Sequence, residues 1–131
     1  MKAVVVDKDY GSVTSEELET VKKAYAKAGI DLELQHFTTE DEIIAGCQDA
    51  MAILGTGNPP VTRRVIESLP DLKFVQRFGV GVNSIDLDAA AEHGVIVLNL
   101  PGFCAKELAD LACAMIMGLI RNTNYYDKEI R

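Results

Sequence analysis

The feature that most narrows the choice of fold is an alternation: short apolar runs rich in β-branched residues recur between stretches whose apolar residues fall at helical spacing. "KAVVVD" is a run of the kind that two-sidedly buried parallel strands show. Thr14 with Glu17 reads as a capping box, after which Leu18, Val21, Tyr25 and Ala28 mark a helix that Gly29 stops. "DLELQHF" alternates like a strand near a sheet edge, Thr39 with Glu42 opens a shorter helix, and "AMAIL" is a third strand ending at Gly55. The turn-rich "GTGNPP" leads to a helix around Arg63 to Ser68, and "LKFVQRF" is a fourth strand. Asp86 caps a helix through "LDAAAEH" that Gly94 ends, and "VIVLNL" is a fifth strand before Pro101. Short connections and right-handed crossovers then predict an α/β fold with a parallel sheet and helices on both faces, an open doubly wound layout.

The length, 131 residues, sits near the modal size of a single domain, and a composition 48% hydrophobic and 25% charged is that of an ordinary globular chain. A net charge of −7 repels phosphate backbones and anionic lipid, and no Lys/Arg cluster larger than a pair such as Arg63–Arg64 is set against it, so nucleic acid is not an expected partner. The apolar start is too short for a signal-peptide core of roughly 7–15 residues. Even "LADLACAMIMGLI" carries Asp110 and falls short of the roughly 18 apolar residues of a membrane span, so no membrane association and a cytoplasmic location are expected. Cys47, Cys104 and Cys113 are an odd number without Cys-x-x-Cys spacing, which suits reduced, buried thiols and predicts neither a disulfide framework nor a metal site.

The last predicted helix, from about Lys106 to Arg121, differs from the rest. Leu108, Leu111, Met115 and Leu119 mark one face while Ala109, Cys113, Ile116 and Ile120 mark another. A helix apolar nearly all round needs cover on more than one side, which predicts a homodimer through this helix or a further domain. The polar "RNTNYYDKEIR" that follows reads as an interrupted chain.

"RFGVGVNSID", residues 77–86, holds a Gly-x-Gly-x-x-Ser. A dinucleotide loop follows the first strand of its fold, has a third glycine, and is answered about 20 residues later by an acid at the end of the next strand. Here the loop follows the fourth strand, Ser84 takes the third place, and "VIVLNL" ends in Asn99 and Leu100. A different use fits: Gly79 and Gly81 clear the way for backbone N–H groups to face an anion at the carboxyl end of a parallel strand. "GTGNPP" lies at the matching end of the third strand, so the two loops are expected to frame one small crevice, with Arg77 beside it as a charged clamp for a small carboxylate.

These residues carry a resemblance. "LKFVQRFGVGVNSIDLDAAAEHGVIVLNLPGFCAKELADLACAMIMGLIRN" resembles the D-isomer-specific 2-hydroxyacid dehydrogenases, the group that includes D-3-phosphoglycerate dehydrogenase and the C-terminal-binding-protein co-repressors. The Gly-x-Gly-x-(Asp/Asn)-x-(Ile/Val)-Asp core, the Asn-x-Pro of "LNLP" and the Glu-x-Ala-Asp of "ELAD" occur in order, and "DAMAILGTGNPPVTRRVIESLPDLK" extends the likeness upstream. Asn83 and Ser84 stand where the family has Asp-Asn.

The resemblance implies a substrate-binding (catalytic) domain over 1–104 with flavodoxin-like topology, strand order 2-1-3-4-5. It further implies that 105–131 is an interdomain helix and the start of an NAD-binding domain, with NAD or NADP as cofactor of the longer protein and none expected on this chain alone. The substrate would be a small 2-hydroxy or 2-keto acid, interconverted by hydride and proton transfer. The backbone at Val80 and Gly81 would hold its carboxylate, with Val80 also near the nicotinamide. Gly55 and Thr56 would line the same cleft, Arg77 would pair with the substrate or with a surface acid, and Ala109 would approach the cofactor. The family's catalytic Arg, Glu and His have no counterpart here: His36 and His93 do not match the proton-transfer histidine, and His93 suits a structural place at a helix C-terminus. The isolated chain is therefore expected to be inactive.

Other readings stay open. A co-repressor role on the same fold would make the chain a protein-binding module. A phospho-receiver shares the strand order, and Asp7 with Asp9 suggests its acidic pocket, but Gly55 and Asn99 stand where it needs Asp and Lys; capping and solubility are the simpler account of Asp7 and Asp9. A flavin-binding module would use Ser12, Thr14 and Ser15 after the first strand, in a segment that is acidic.

Overall fold

A computed structural model describes residues 1–7 and 15–130. Five strands, β1 (Lys2–Val5), β2 (Asp31–Leu34), β3 (Ala52–Gly55), β4 (Phe74–Arg77) and β5 (Ile96–Leu98), form one all-parallel sheet in the order β2-β1-β3-β4-β5. Between them run α1 (Ser15–Lys27), α2 (Glu40–Gly46), α3 (Arg63–Glu67) and α4 (Leu87–Glu92). The flavodoxin-like order and the doubly wound layout are those expected from the sequence.

The continuous apolar run of β1 follows from its place next to the centre of a sheet covered on both sides. Val4 and Val6 face a core built with Ile43 of α2, Val65 of α3 and Ala89 of α4, whereas Ala3 and Val5 face Leu32 and Leu54, with Val21 and Tyr25 of α1 packed over them. Ile43, Val65 and Ala89 are fully buried. Each Ile or Val so placed contributes roughly 1.5–3 kcal/mol of burial free energy.

Helix ends obey local chemistry. Thr39 and Glu42 close a complete capping box on α2: the Glu42 amide donates to Thr39 Oγ1, and Glu42 Oε2 accepts from the Thr39 amide. The amide and hydroxyl of Thr38 also donate to Glu42, and these bonds hold its carboxyl below the usual glutamate range. Asp86 accepts from the Ala89 amide at 2.8 Å to start α4, and Gly94 at φ +67° follows its end. The capping box expected at Thr14 and the residues Asp9 and Ser12 lie outside the described residues. The basic pair is not free, because Arg63 joins α3 to Glu92 and Arg64 reaches Asp41 and Glu40. The Arg63 guanidinium holds the Glu92 carboxyl below its usual range.

The chain divides into two compact units, Met1–Leu100 and Pro101–Arg131. The second contains α5 (Ala105–Ile120) and α6 (Thr123–Ile130), joined at Asn122, which has φ +51°. No residue of α5 is buried. The polar "RNTNYYDKEIR" contains helix α6, in which Tyr126 and Ile130 stand four residues apart at helical spacing and Tyr125 and Tyr126 pack edge to face at 5.5 Å. Among the described residues no helix is long and apolar enough to cross a membrane, and no group of His, Cys, Asp and Glu could hold a metal ion.

Candidate functional site

The site grows from strand register. Gly55, the last residue of β3, lies opposite Arg77, the last of β4, and the Val6 amide donates to the Leu54 carbonyl at 3.0 Å. The carboxyl ends of β1, β3 and β4 are thus level, and the residues leaving them, Asp7, Thr56 and Phe78, stand side by side. Such an edge is where open α/β sheets bind ligands.

Along the loop after β4, two carbonyls are tied to the chain leaving β5. The Gly79 carbonyl accepts from the Leu100 amide at 2.9 Å, and the Val80 carbonyl accepts from Asn99 Nδ2 at 2.8 Å. In a planar trans peptide the next N–H points opposite the C=O. The amides of Val80 and Gly81 therefore both face away from β5, and among the described residues neither donates a hydrogen bond. Gly79 is buried, while Val80 and Gly81 are exposed. A Cβ added at Gly81 would meet nothing within 4 Å, so the space around this pair of amides is open.

Arg77 is half-buried and folded back between the two glycine loops. Its Nη1 donates to the Phe78 carbonyl at 3.1 Å, and its Nε is buried without a partner. A Cβ at Gly57 would stand 2.9 Å from Nε, and one at Gly79 2.8 Å from Nη1, so both glycines are what lets the guanidinium lie there. Among the described residues Arg77 makes no ion pair. Because the side chain fills the gap, the cavity lined by Gly55, Gly57, Pro59, Arg77 and Ser84 is only about 10 Å³, room for one water. A ligand would rest on the open amides rather than between the loops.

Thr56 is turned away from such a ligand. Both its amide and its hydroxyl donate to Asp7 Oδ2, the hydroxyl at 2.6 Å. Gly55 permits this approach, since a Cβ there would stand 3.1 Å from the same oxygen. Asp7 is not a solvated capping residue: it is 7% exposed, and among the described residues its Oδ1 has no partner. The sequence singled out Asp7 only in the phospho-receiver reading and did not single out the Asn99 side chain. The Asn-x-Pro of "LNLP" was the signal for Asn99; Asp7 had none, because Thr56 is 49 residues away.

The remaining candidates lie apart. Asn83 and Ser84 leave the loop's backbone bonding intact, with the Val61 amide donating to the Ser84 carbonyl at 2.8 Å and the Asp86 amide to the Val61 carbonyl at 3.0 Å. His93 Nδ1 lies 3.0 Å from the Ala89 carbonyl at the end of α4, and His36 is exposed after β2. Ala109 is exposed on α5, in the second unit.

Residues 4–131 match the family described as D-isomer specific 2-hydroxyacid dehydrogenase, catalytic domain. The chain belongs to this family. It is 35% identical over 92 residues to the D-3-phosphoglycerate dehydrogenase of Methanocaldococcus jannaschii, which covers 70% of this chain and 18% of that protein. The D-3-phosphoglycerate dehydrogenase of Homo sapiens is 33% identical over 100 residues, 76% of this chain and 19% of that protein. The NAD-dependent formate dehydrogenase of Staphylococcus aureus, solved in complex with NAD, superimposes with a TM-score of 0.76 at 25% identity over 95% of this chain and 40% of that one. The chain thus spans about a fifth of the length of the curated relatives it matches.

Proposed function

We propose that residues 1–104 are the substrate-binding part of an NAD(P)-dependent D-2-hydroxyacid dehydrogenase and that 105–131 are an interdomain helix and the start of its cofactor domain. The amides of Val80 and Gly81 hold the carboxylate of a small 2-hydroxy or 2-keto acid, and Arg77, which makes no ion pair among the described residues, supplies positive charge beside them. The observation that carries this reading is the pair of amides turned the same way by the bonds from Asn99 and Leu100.

A nicotinamide cofactor, when bound, supplies or takes up the hydride at C2 of the acid. The described residues fit only one end of it: the apolar Val80 side chain is 46% exposed beside the amides, but β5 is followed by Asn99 and Leu100 without a carboxylate for a ribose, and the glycine loop has Ser84 at its third place. The role of this chain is to bind and orient the acid, with Ala109 approaching the cofactor from α5. Alone it binds the acid and turns nothing over.

Calorimetric titration of the chain with D-lactate tests this. Saturable one-site binding, weakened at least tenfold in Arg77→Met with the circular dichroism spectrum preserved, is the expected result. Binding that Arg77→Met leaves untouched, or no binding, contradicts it.

A further inference from the structure

Asp7 is an anion that the fold has already placed at the edge where the substrate binds. Its carboxylate is buried, accepts both donors of Thr56 through Oδ2, and lies against Gly55, whose strand partner is Arg77. In the geometry of an anion site, an amide and a hydroxyl converging on one oxygen, this loop is occupied by the chain's own acid. Asp7 stands about two strand spacings, roughly 10 Å, from β4. Arg77 supplies positive charge at the end of β4, and the loop residues 55–60 and 78–84 contain no Lys, Arg or His.

We infer that Asp7 is a specificity-determining residue, which restricts the site to 2-hydroxy and 2-keto acids carrying a single negative charge and disfavours those bearing a second anionic group such as a phosphate. This rests on the proposed carboxylate site at Val80 and Gly81. One carboxylate satisfies the two amides and the guanidinium. A phosphate on the same ligand brings close to two further charges at neutral pH and three acceptor oxygens. At the β3 loop it meets a fixed carboxylate and finds the Thr56 donors taken, so it loses solvation without gaining partners. Like charges several ångströms apart at intermediate dielectric lower affinity by about tenfold.

The test compares D-glycerate with D-3-phosphoglycerate, ligands that differ by one phosphate, by titration of the wild-type chain and of Asp7→Asn. Asparagine keeps an oxygen for Thr56, removes the charge and places an NH2 group where Oδ1 stands. The wild type is expected to prefer D-glycerate by about tenfold or more, and Asp7→Asn to reduce that preference at least threefold. A purely structural role for Asp7 would change both affinities together and leave their ratio alone. A wild type that binds D-3-phosphoglycerate as tightly as D-glycerate overturns the inference even without the variant, and so does a preference that Asp7→Asn leaves unchanged. If the wild type binds neither acid, the carboxylate site itself is wrong and the inference falls with it.

Discussion

Gly57 and Gly81 sit in neighbouring loops under opposite constraints. At Gly57 the backbone has φ +103°, and a Cβ would stand 2.5 Å from Ser84 Oγ and 2.9 Å from Arg77 Nε. Gly57→Ala should therefore lower unfolding free energy by about 1–3 kcal/mol in urea titration. Gly81→Ala meets nothing within 4 Å and should leave stability the same or raise it by up to about 1 kcal/mol. Cysteine reactivity separates along similar lines. Burial pushes the Cys47 thiol up to about 11, while Cys113 is exposed. Iodoacetamide at pH 8 should label Cys113 readily and Cys47 only after denaturation, as mass spectrometry of the digest would show. Of these residue-level features, the glycine loops were legible because each follows a strand end. The folding back of Arg77 was not, since it depends on the gap left by Gly79 in its own loop together with Gly57, which is distant in sequence.

Helix α2 shows how far an element can be read from its own residues. Thr39 and Glu42 at capping-box spacing predicted its start, and both bonds are present. Thr39→Ala should cost about 1 kcal/mol of stability, measured by chemical denaturation. Glu42 adds a pH dependence of definite sign. Its folded-state pKa is depressed by the Thr38 and Thr39 bonds, so its contribution is complete above the unfolded value near 4.3 and is lost as pH falls through the lower folded value. Glu42→Gln should flatten the acid limb of the stability curve below about pH 4. Helix α6 lies at the other extreme: its residues are polar enough that composition masked the spacing of Tyr126 and Ile130. Residues that meet only across the sheet, Asp7 and Thr56 above all, leave no local pattern to read.

At the scale of the whole chain, the alternation of runs predicted a parallel doubly wound sheet, and its inner strands β1 and β3 are buried on both faces. The order β2-β1-β3-β4-β5 came instead from the family resemblance, since pairing order is set by contacts that strand patterns do not encode. On α5, Leu108, Met115 and Leu119 are 60–75% exposed. We propose that a second copy covers them, and sedimentation velocity should show a concentration-dependent dimer that Leu111→Glu with Met115→Glu abolishes. In the proposed site the two amides turned by the bonds from Asn99 and Leu100 would hold a small carboxylate. Nitrogen-15 correlation spectra recorded while D-lactate is added test it most directly. The account predicts saturable shifts centred on the amides of Val80 and Gly81, with the Thr56 amide, held by Asp7, moving least of the three. Val80 and Gly81 resonances that stay fixed while others move, or while D-lactate binds by calorimetry, would contradict it.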